Sequence, residues 1–246
     1  MNNNSKPQTE IKLAELKRSL PVLLLAPYTR IIFLAGSVAA NTATEESDID
    51  LVVVSKNKKI WLNKFFLEMI TRIFRIKRTK NRTRNKICFN MFLSDKNPFL
   101  PHRDSIGADC YKNLQPVWGE TKETEIFWKK NLWIKKFCDS KITTENIFGD
   151  SKKIFLAPQK TLEFVLTVTG LGTVLEKIFF IIQYQYLKKK FDRLVLDKNS
   201  ADYDFFLTPH LIAYHFPISN YALKLREYEK KQAYSAIVEK TTQKPL

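Results

Sequence analysis

The sequence predicts an α+β fold: an α/β core, a small mixed sheet with flanking helices, over residues 1–100, followed by a mostly α-helical domain over residues 101–246. Three observations carry this. In the first hundred residues, short apolar runs alternate with segments of helical periodicity. Past Pro98 and Pro101 the short runs give way to longer helical patterns. A hydrophobic share of 44% with 27% charged residues, over 246 positions, is that of a folded chain of one or two domains.

Taken in order, residues 9–20 read as an amphipathic lead-in helix ending before Pro21. Residues 30–34 form a first strand, 37–42 a short helix and 48–55 a second strand. Residues 58–76 follow as a helix with Ile60, Trp61, Leu62, Phe65, Phe66, Met69, Ile70 and Ile73 available for burial. Residues 87–93 are a third strand, and the alternation implies an α/β unit. Further helices are expected over 103–114, 123–137, 158–190 and 218–230, with the boundary between the two regions at 97–101.

Residues 162–187, LEFVLTVTGLGTVLEKIFFIIQYQYL, are long and apolar enough to be weighed as a membrane span. Glu163 near the start and Glu176 and Lys177 near the middle argue against it, since charges at mid-membrane are costly. A buried core helix is expected instead, with Gly170 and Gly172 marking a break or close packing, and no transmembrane span. The N-terminus, MNNNSKPQTE, has no apolar core of a signal peptide and reads as a frayed tail. Cys88, Cys110 and Cys138 are far apart and odd in number, which suits reduced thiols and a cytoplasmic location. Forty-one Lys and Arg against 25 Asp and Glu leave a charge of +16 and favour polyanionic partners over cationic ones.

The stretch that carries chemistry is IIFLAGSVAANTATEESDIDLVVV, residues 31–54. Side chains at i and i+2 of a strand share a face, so Asp48 and Asp50 project together while Ile49 and Leu51 pack behind them. Two carboxylates side by side repel unless a cation sits between them, and hard oxygen ligands at a strand end suit Mg²⁺. Upstream, Gly36 and Ser37 lie where a strand turns into a helix. Glycine there admits a ligand to the backbone, and free N–H groups favour phosphate oxygens. Phosphate cradle and metal carboxylates in one element point to nucleotide chemistry.

At these residues the chain resembles the DNA polymerase β-like nucleotidyltransferase superfamily, whose pattern is an apolar strand, Gly-Ser, about a dozen residues and then Asp-apolar-Asp-apolar. Here it reads LAGS followed by DIDL, with Ser47 before the first aspartate, and the resemblance covers residues 28–95. It implies that Gly36, Ser37 and Ser47 bind the nucleotide and that Asp48 and Asp50 hold two Mg²⁺ ions. The implied reaction is transfer of a nucleoside monophosphate from an NTP, ATP included, to an acceptor hydroxyl. The superfamily carries a third carboxylate on a later strand. The matching strand here, KICFNMFLSD, offers Asn90 as its inward polar residue, with Asp95 at its end as a substitute. Asparagine ligates through its carbonyl but carries no charge and serves as no base.

A second stretch, RIFRIKRTKNRTRNK, crowds Arg72, Arg75, Lys77, Arg78, Lys80, Arg82, Arg84 and Lys86 between the helix and the third strand. It is expected near the cleft, to hold triphosphate or steer RNA; that RNA comes ahead of DNA is what the family resemblance implies. Three function classes fit: a nucleotidyltransferase acting on RNA, one acting on a small molecule or protein, and a degenerate member that binds nucleotide or RNA without turnover.

Overall fold

A computed structural model describes residues 5–139, 142–149, 156–196 and 206–213. The chain enters through helix α1 (Ser5–Leu23), then builds β1 (Thr29–Ala35), one helical turn α2 (Gly36–Ala39), β2 (Ile49–Ser55), α3 (Ile60–Ile73) and β3 (Ile87–Ser94). Helix α4 (Ser105–Tyr111), strand β4 (Gln115–Trp118), helix α5 (Thr121–Lys130) and a 3₁₀ turn (Leu132–Lys136) follow. Then come α6 (Leu156–Val168), α7 (Leu171–Leu196) and two short strands, β5 (Phe206–Leu207) and β6 (Leu211–Ala213).

The strands form one mixed sheet in the order β4-β1-β2-β3-β6-β5. Only β2 and β3 are parallel. Apolar residues occupy both faces, which is why TRIIFLA and LVVV read as continuous runs rather than alternating ones. On one face Ile32, Leu34, Leu51 and Val53 meet Leu16, Trp61, Leu67 and Leu187 from α1, α3 and α7. On the other, Phe33, Val52 and Leu93 meet Ala108, Phe127 and Trp128 from α4 and α5. Phe127 lies 4.4 Å from Phe33 between ring centroids.

The α+β class expected from the sequence is the class observed. Several elements differ in detail. The sheet draws β4, β5 and β6 from beyond residue 100, where only helices were expected. Strand β4 carries Pro116, which an edge strand tolerates because the missing N–H costs no ladder bond there. Helix α1 runs on to Leu23 with Pro21 inside its last turns. The helix expected over 123–137 divides at Asn131, which is fully buried. Its side chain accepts from the Leu100 amide (3.0 Å) and donates to the Pro98 carbonyl (2.8 Å), tying α5 to the 97–101 connection. The helix expected over 218–230 lies outside the described residues.

The segment expected as one helix over 158–190 is two, α6 and α7, bent by 93°. Gly170 stands between them at φ +72°, a conformation glycine adopts without strain. At Gly172 a Cβ would lie 2.5 Å from the Tyr28 hydroxyl, so the close packing anticipated at the glycines is real. The expected burial is only partial. Leu166, Leu187 and Phe191 are buried, but Phe164 is 67% and Val168 69% exposed, with Leu171, Ile178 and Ile182 exposed beside them. The inward face is instead pinned by polar groups. Glu163 accepts from Arg30 through both oxygens (3.1 and 3.0 Å) and from the Tyr28 amide. Gln183 donates to the Trp61 carbonyl (2.8 Å). Among the described residues no single helix is long and apolar enough to cross a membrane, although the bent pair reaches that composition together.

Candidate active site

The end of β1 and the starts of β2 and β3 meet at one edge of the sheet. The antiparallel β1–β2 register places Ala35 against Asp50, so Gly36 follows directly at the carboxylate. A Cβ on Gly36, at φ +64°, would stand 2.1 Å from Asp50 Oδ2. The parallel β2–β3 register places Cys88 against Asp50. One residue on, the pairing jumps from Leu51–Phe89 to Val52–Met91, leaving Asn90 as the extra residue of a bulge. Such bulges re-aim side chains beside functional sites. Here it keeps Asn90 on the Asp50 face, where Cys88 Sγ donates to Asn90 Oδ1 (3.2 Å).

Asp48, Asp50 and Cys88 present two carboxylate oxygens and one sulfur, all within 4.8 Å of one another. Burial, then the charge of Asp48, raises the Asp50 carboxyl to about 7, against the Asn90 hydrogen bond and Arg78. Burial, then Asp50 and Asp48, pushes the Cys88 thiol up to about 12. The site is therefore electron-rich and short of positive charge. Arg78 partly answers this, with Nε 3.1 Å from Asp48 Oδ2 and a terminal nitrogen 3.6 Å from Cys88 Sγ. The Asp48 contact is an ion pair without hydrogen-bond alignment, so the buried Oδ2 still accepts no hydrogen bond. An oxygen of this kind, with a second carboxylate alongside and a guanidinium resting against it, fits a divalent cation.

The remaining expected residues divide. Ser37 follows Gly36 in the single turn of α2, which is too short to act as a helix dipole. The Ser47 hydroxyl accepts from the Thr44 amide (2.9 Å) and bonds the Thr44 hydroxyl, closing the loop. Asp95 is at the opposite end of β3, where it accepts from the Asn57 amide (2.8 Å). At roughly 3.3 Å per residue along a strand it cannot reach the aspartates, so its candidacy as the third carboxylate ends.

The basic run does not act as one patch. Arg72 and Lys77 pair with Glu68 of α3, Arg84 with Glu45, and Lys86 donates to the Arg75 carbonyl. Arg78 belongs to the acidic site. Lys80 and Arg82 are exposed and make no ion pair among the described residues. Beside Cys88 the run walls a cavity of about 520 Å³, to which Lys64 and Lys190 add charge against the one carboxylate of Glu68.

Cys88 and Lys190 were not singled out from the sequence. Cys88 was within reach: the i, i+2 spacing that pairs Asp48 with Asp50 also pairs Cys88 with Asn90. Lys190 sits a hundred residues away and no local signal places it at the cavity.

Such a constellation, paired carboxylates on one strand facing a glycine turn on its neighbour, defines a site for phosphate and metal chemistry. Residues 25–97 match the family model described as "Nucleotidyltransferase domain", so this part of the chain is similar to that family. A solved structure titled "Crystal structure of the toxin-antitoxin with AMP-PNP" is similar at 15% identity, covering 52% of this chain and 87% of that chain, with a TM-score of 0.27. No curated protein matches.

Proposed function

We propose that the chain transfers a nucleoside monophosphate from an NTP to an acceptor hydroxyl on RNA, with Mg²⁺ held by Asp48 and Asp50. The observation that carries this is the meeting of Asp48, Asp50 and the bare backbone of Gly36 beside Arg78 and Cys88, two residues that also line a basic cavity. When bound, the metal supplies positive charge to the triphosphate and to the transferring phosphoryl group. Asp48 and Asp50 orient it. Gly36 leaves room for phosphate at the turn, and the Ser37 hydroxyl, next in the chain, bonds a phosphate oxygen in this reading. Lys80 and Arg82, which make no ion pair among the described residues, are exposed cations available to an RNA backbone. Asn90 fixes the Asp50 carboxylate and the Cys88 thiol rather than moving a proton.

The test is incubation with each labelled NTP, Mg²⁺ and total RNA. Label is expected in RNA with one preferred NTP, and none with Asp48→Asn or Asp50→Asn. Label in protein or small molecules would replace RNA as the acceptor. Nucleotide binding with no transfer from any NTP would leave a binding module, the alternative that Asn90 favours. Replacing Lys80 and Arg82 by Ala should lower the log–log salt slope of RNA binding by roughly one per lost phosphate contact.

A further inference from the structure

The third ligand position beside Asp48 and Asp50 is filled by sulfur. The β2–β3 register pairs Cys88 with Asp50 directly, and its Sγ lies within 4.8 Å of both carboxylates. The Sγ–H···Oδ1 bond to Asn90 holds the thiol in place (3.2 Å). A cation already rests on two of the three groups, since Arg78 reaches both Asp48 Oδ2 and Cys88 Sγ. The third mark of a ligand site is the buried Asp48 Oδ2, which accepts no hydrogen bond.

We propose that Cys88 is a third ligand of the metal held by Asp48 and Asp50, and that its sulfur turns the site toward a thiophilic first-row divalent ion, of the Co²⁺ or Zn²⁺ class, relative to Mg²⁺. This rests on Asp48 and Asp50 being the metal carboxylates. Mg²⁺ is a hard ion that takes oxygen and dehydrates reluctantly, so sulfur adds little to its binding. Softer ions of the late first row gain from thiolate, and their affinities already exceed that of Mg²⁺ at mixed sites. On binding, the Sγ–H bond breaks, its proton goes to solvent, and the sulfur lone pair forms the bond to the ion. Arg78 competes for the same atoms: ion and guanidinium cannot share Asp48 Oδ2 and Cys88 Sγ.

Co²⁺ alone is the probe. It is titrated into the full chain carrying Cys110→Ser and Cys138→Ser, which leaves Cys88 as the sole thiol. A sulfur-to-cobalt charge-transfer band in the near ultraviolet is expected. The same titration of the otherwise native chain, with and without Cys88→Ser, gives the band as a difference spectrum should the first variant fold poorly. Cys88→Ser should weaken Co²⁺ by about tenfold or more, the scale seen when even a ligand's supporting partner is lost. Mg²⁺ affinity should change far less, and Arg78→Gln should tighten both ions. Co²⁺ that binds without the band and ignores Cys88→Ser, yet is lost in Asp48→Asn, would overturn the role of Cys88 and leave the carboxylate site standing. Failure of both Co²⁺ and Mg²⁺ to bind the native chain would overturn the two together.

Discussion

A methyl group at position 36 would collide with Asp50 Oδ2 at 2.1 Å, and the backbone there is left-handed. Gly36→Ala is therefore expected to cost about 1–3 kcal/mol through strain at φ +64°. It should cost the chemistry more, because Asp50 must move aside. Misplacement on the order of 1 Å is enough for a loss of about a hundredfold. Urea unfolding and NTP turnover on the same preparation separate the two effects. At this scale the sequence was informative where spacing alone sets a face: Asp48, Asp50 and Asn90 do share one. It was uninformative where partners are remote in sequence, as with the tie of Arg78 to Asp48 or of Arg84 to Glu45, because a basic run carries no record of which cation finds which acid.

Helix α3 shows how elements borrow from one another. Its N-cap residue, Lys59, provides no side-chain cap. The carboxylate of Glu176, on α7, accepts instead from the Trp61 amide (3.2 Å) and the Leu62 amide (2.8 Å). Glu176→Ala leaves two first-turn donors buried without a partner and should destabilise by about 1–3 kcal/mol, read as a lower urea midpoint at unchanged slope. Gln should recover part of the loss, since its carbonyl still accepts. The acids in the 162–187 segment that argued against a membrane span are thus its anchors, Glu163 to β1 and Glu176 to α3. What the apolar pattern concealed was their direction: the helix pair turns Glu163, Glu176 and Gln183 inward and Phe164, Val168 and Ile182 outward.

The same helix carries a pH-sensitive group. Burial raises the Glu68 carboxyl, but Lys64 and Lys77 outweigh it and hold it down at about 2. Burial in turn lowers both lysines, so the cluster contributes less than the carboxylate alone suggests. Because the folded value lies below the unfolded one, the contribution is complete above about pH 4.5 and is lost as pH falls toward 2. Acid titration of stability should therefore show a limb in that window which Glu68→Gln removes.

Taken whole, the molecule extends its sheet on both sides with strands from beyond residue 100 and packs α7 against one face. A fragment ending at residue 100 lacks β4, α5 and the clamp of Glu176, and exposes Phe33 and Trp61. It should show no cooperative urea transition, whereas the full chain should unfold β1–β3 and α7 together; far-UV circular dichroism distinguishes them. The class of fold was legible because α3 and the strands on either side of it repeat their apolar positions over seven or more residues. Strands β5 and β6, at two and three residues, are too short to show any period. Edge strand β4 was hidden by its proline, and the division of α5 by an asparagine whose partners lie some thirty residues back.

The borrowed cap has one more consequence. First-turn amides of a helix have no intrahelical acceptor and normally exchange their protons with solvent freely. Trp61 and Leu62 are shielded only while α7 lies in place, so their deuterium uptake measures how often that helix lifts from α3. Uptake at these two positions that keeps pace with the centre of α3 would mean the helix departs only in global unfolding. Faster uptake would give the free energy of a partial opening, read amide by amide in the intact chain.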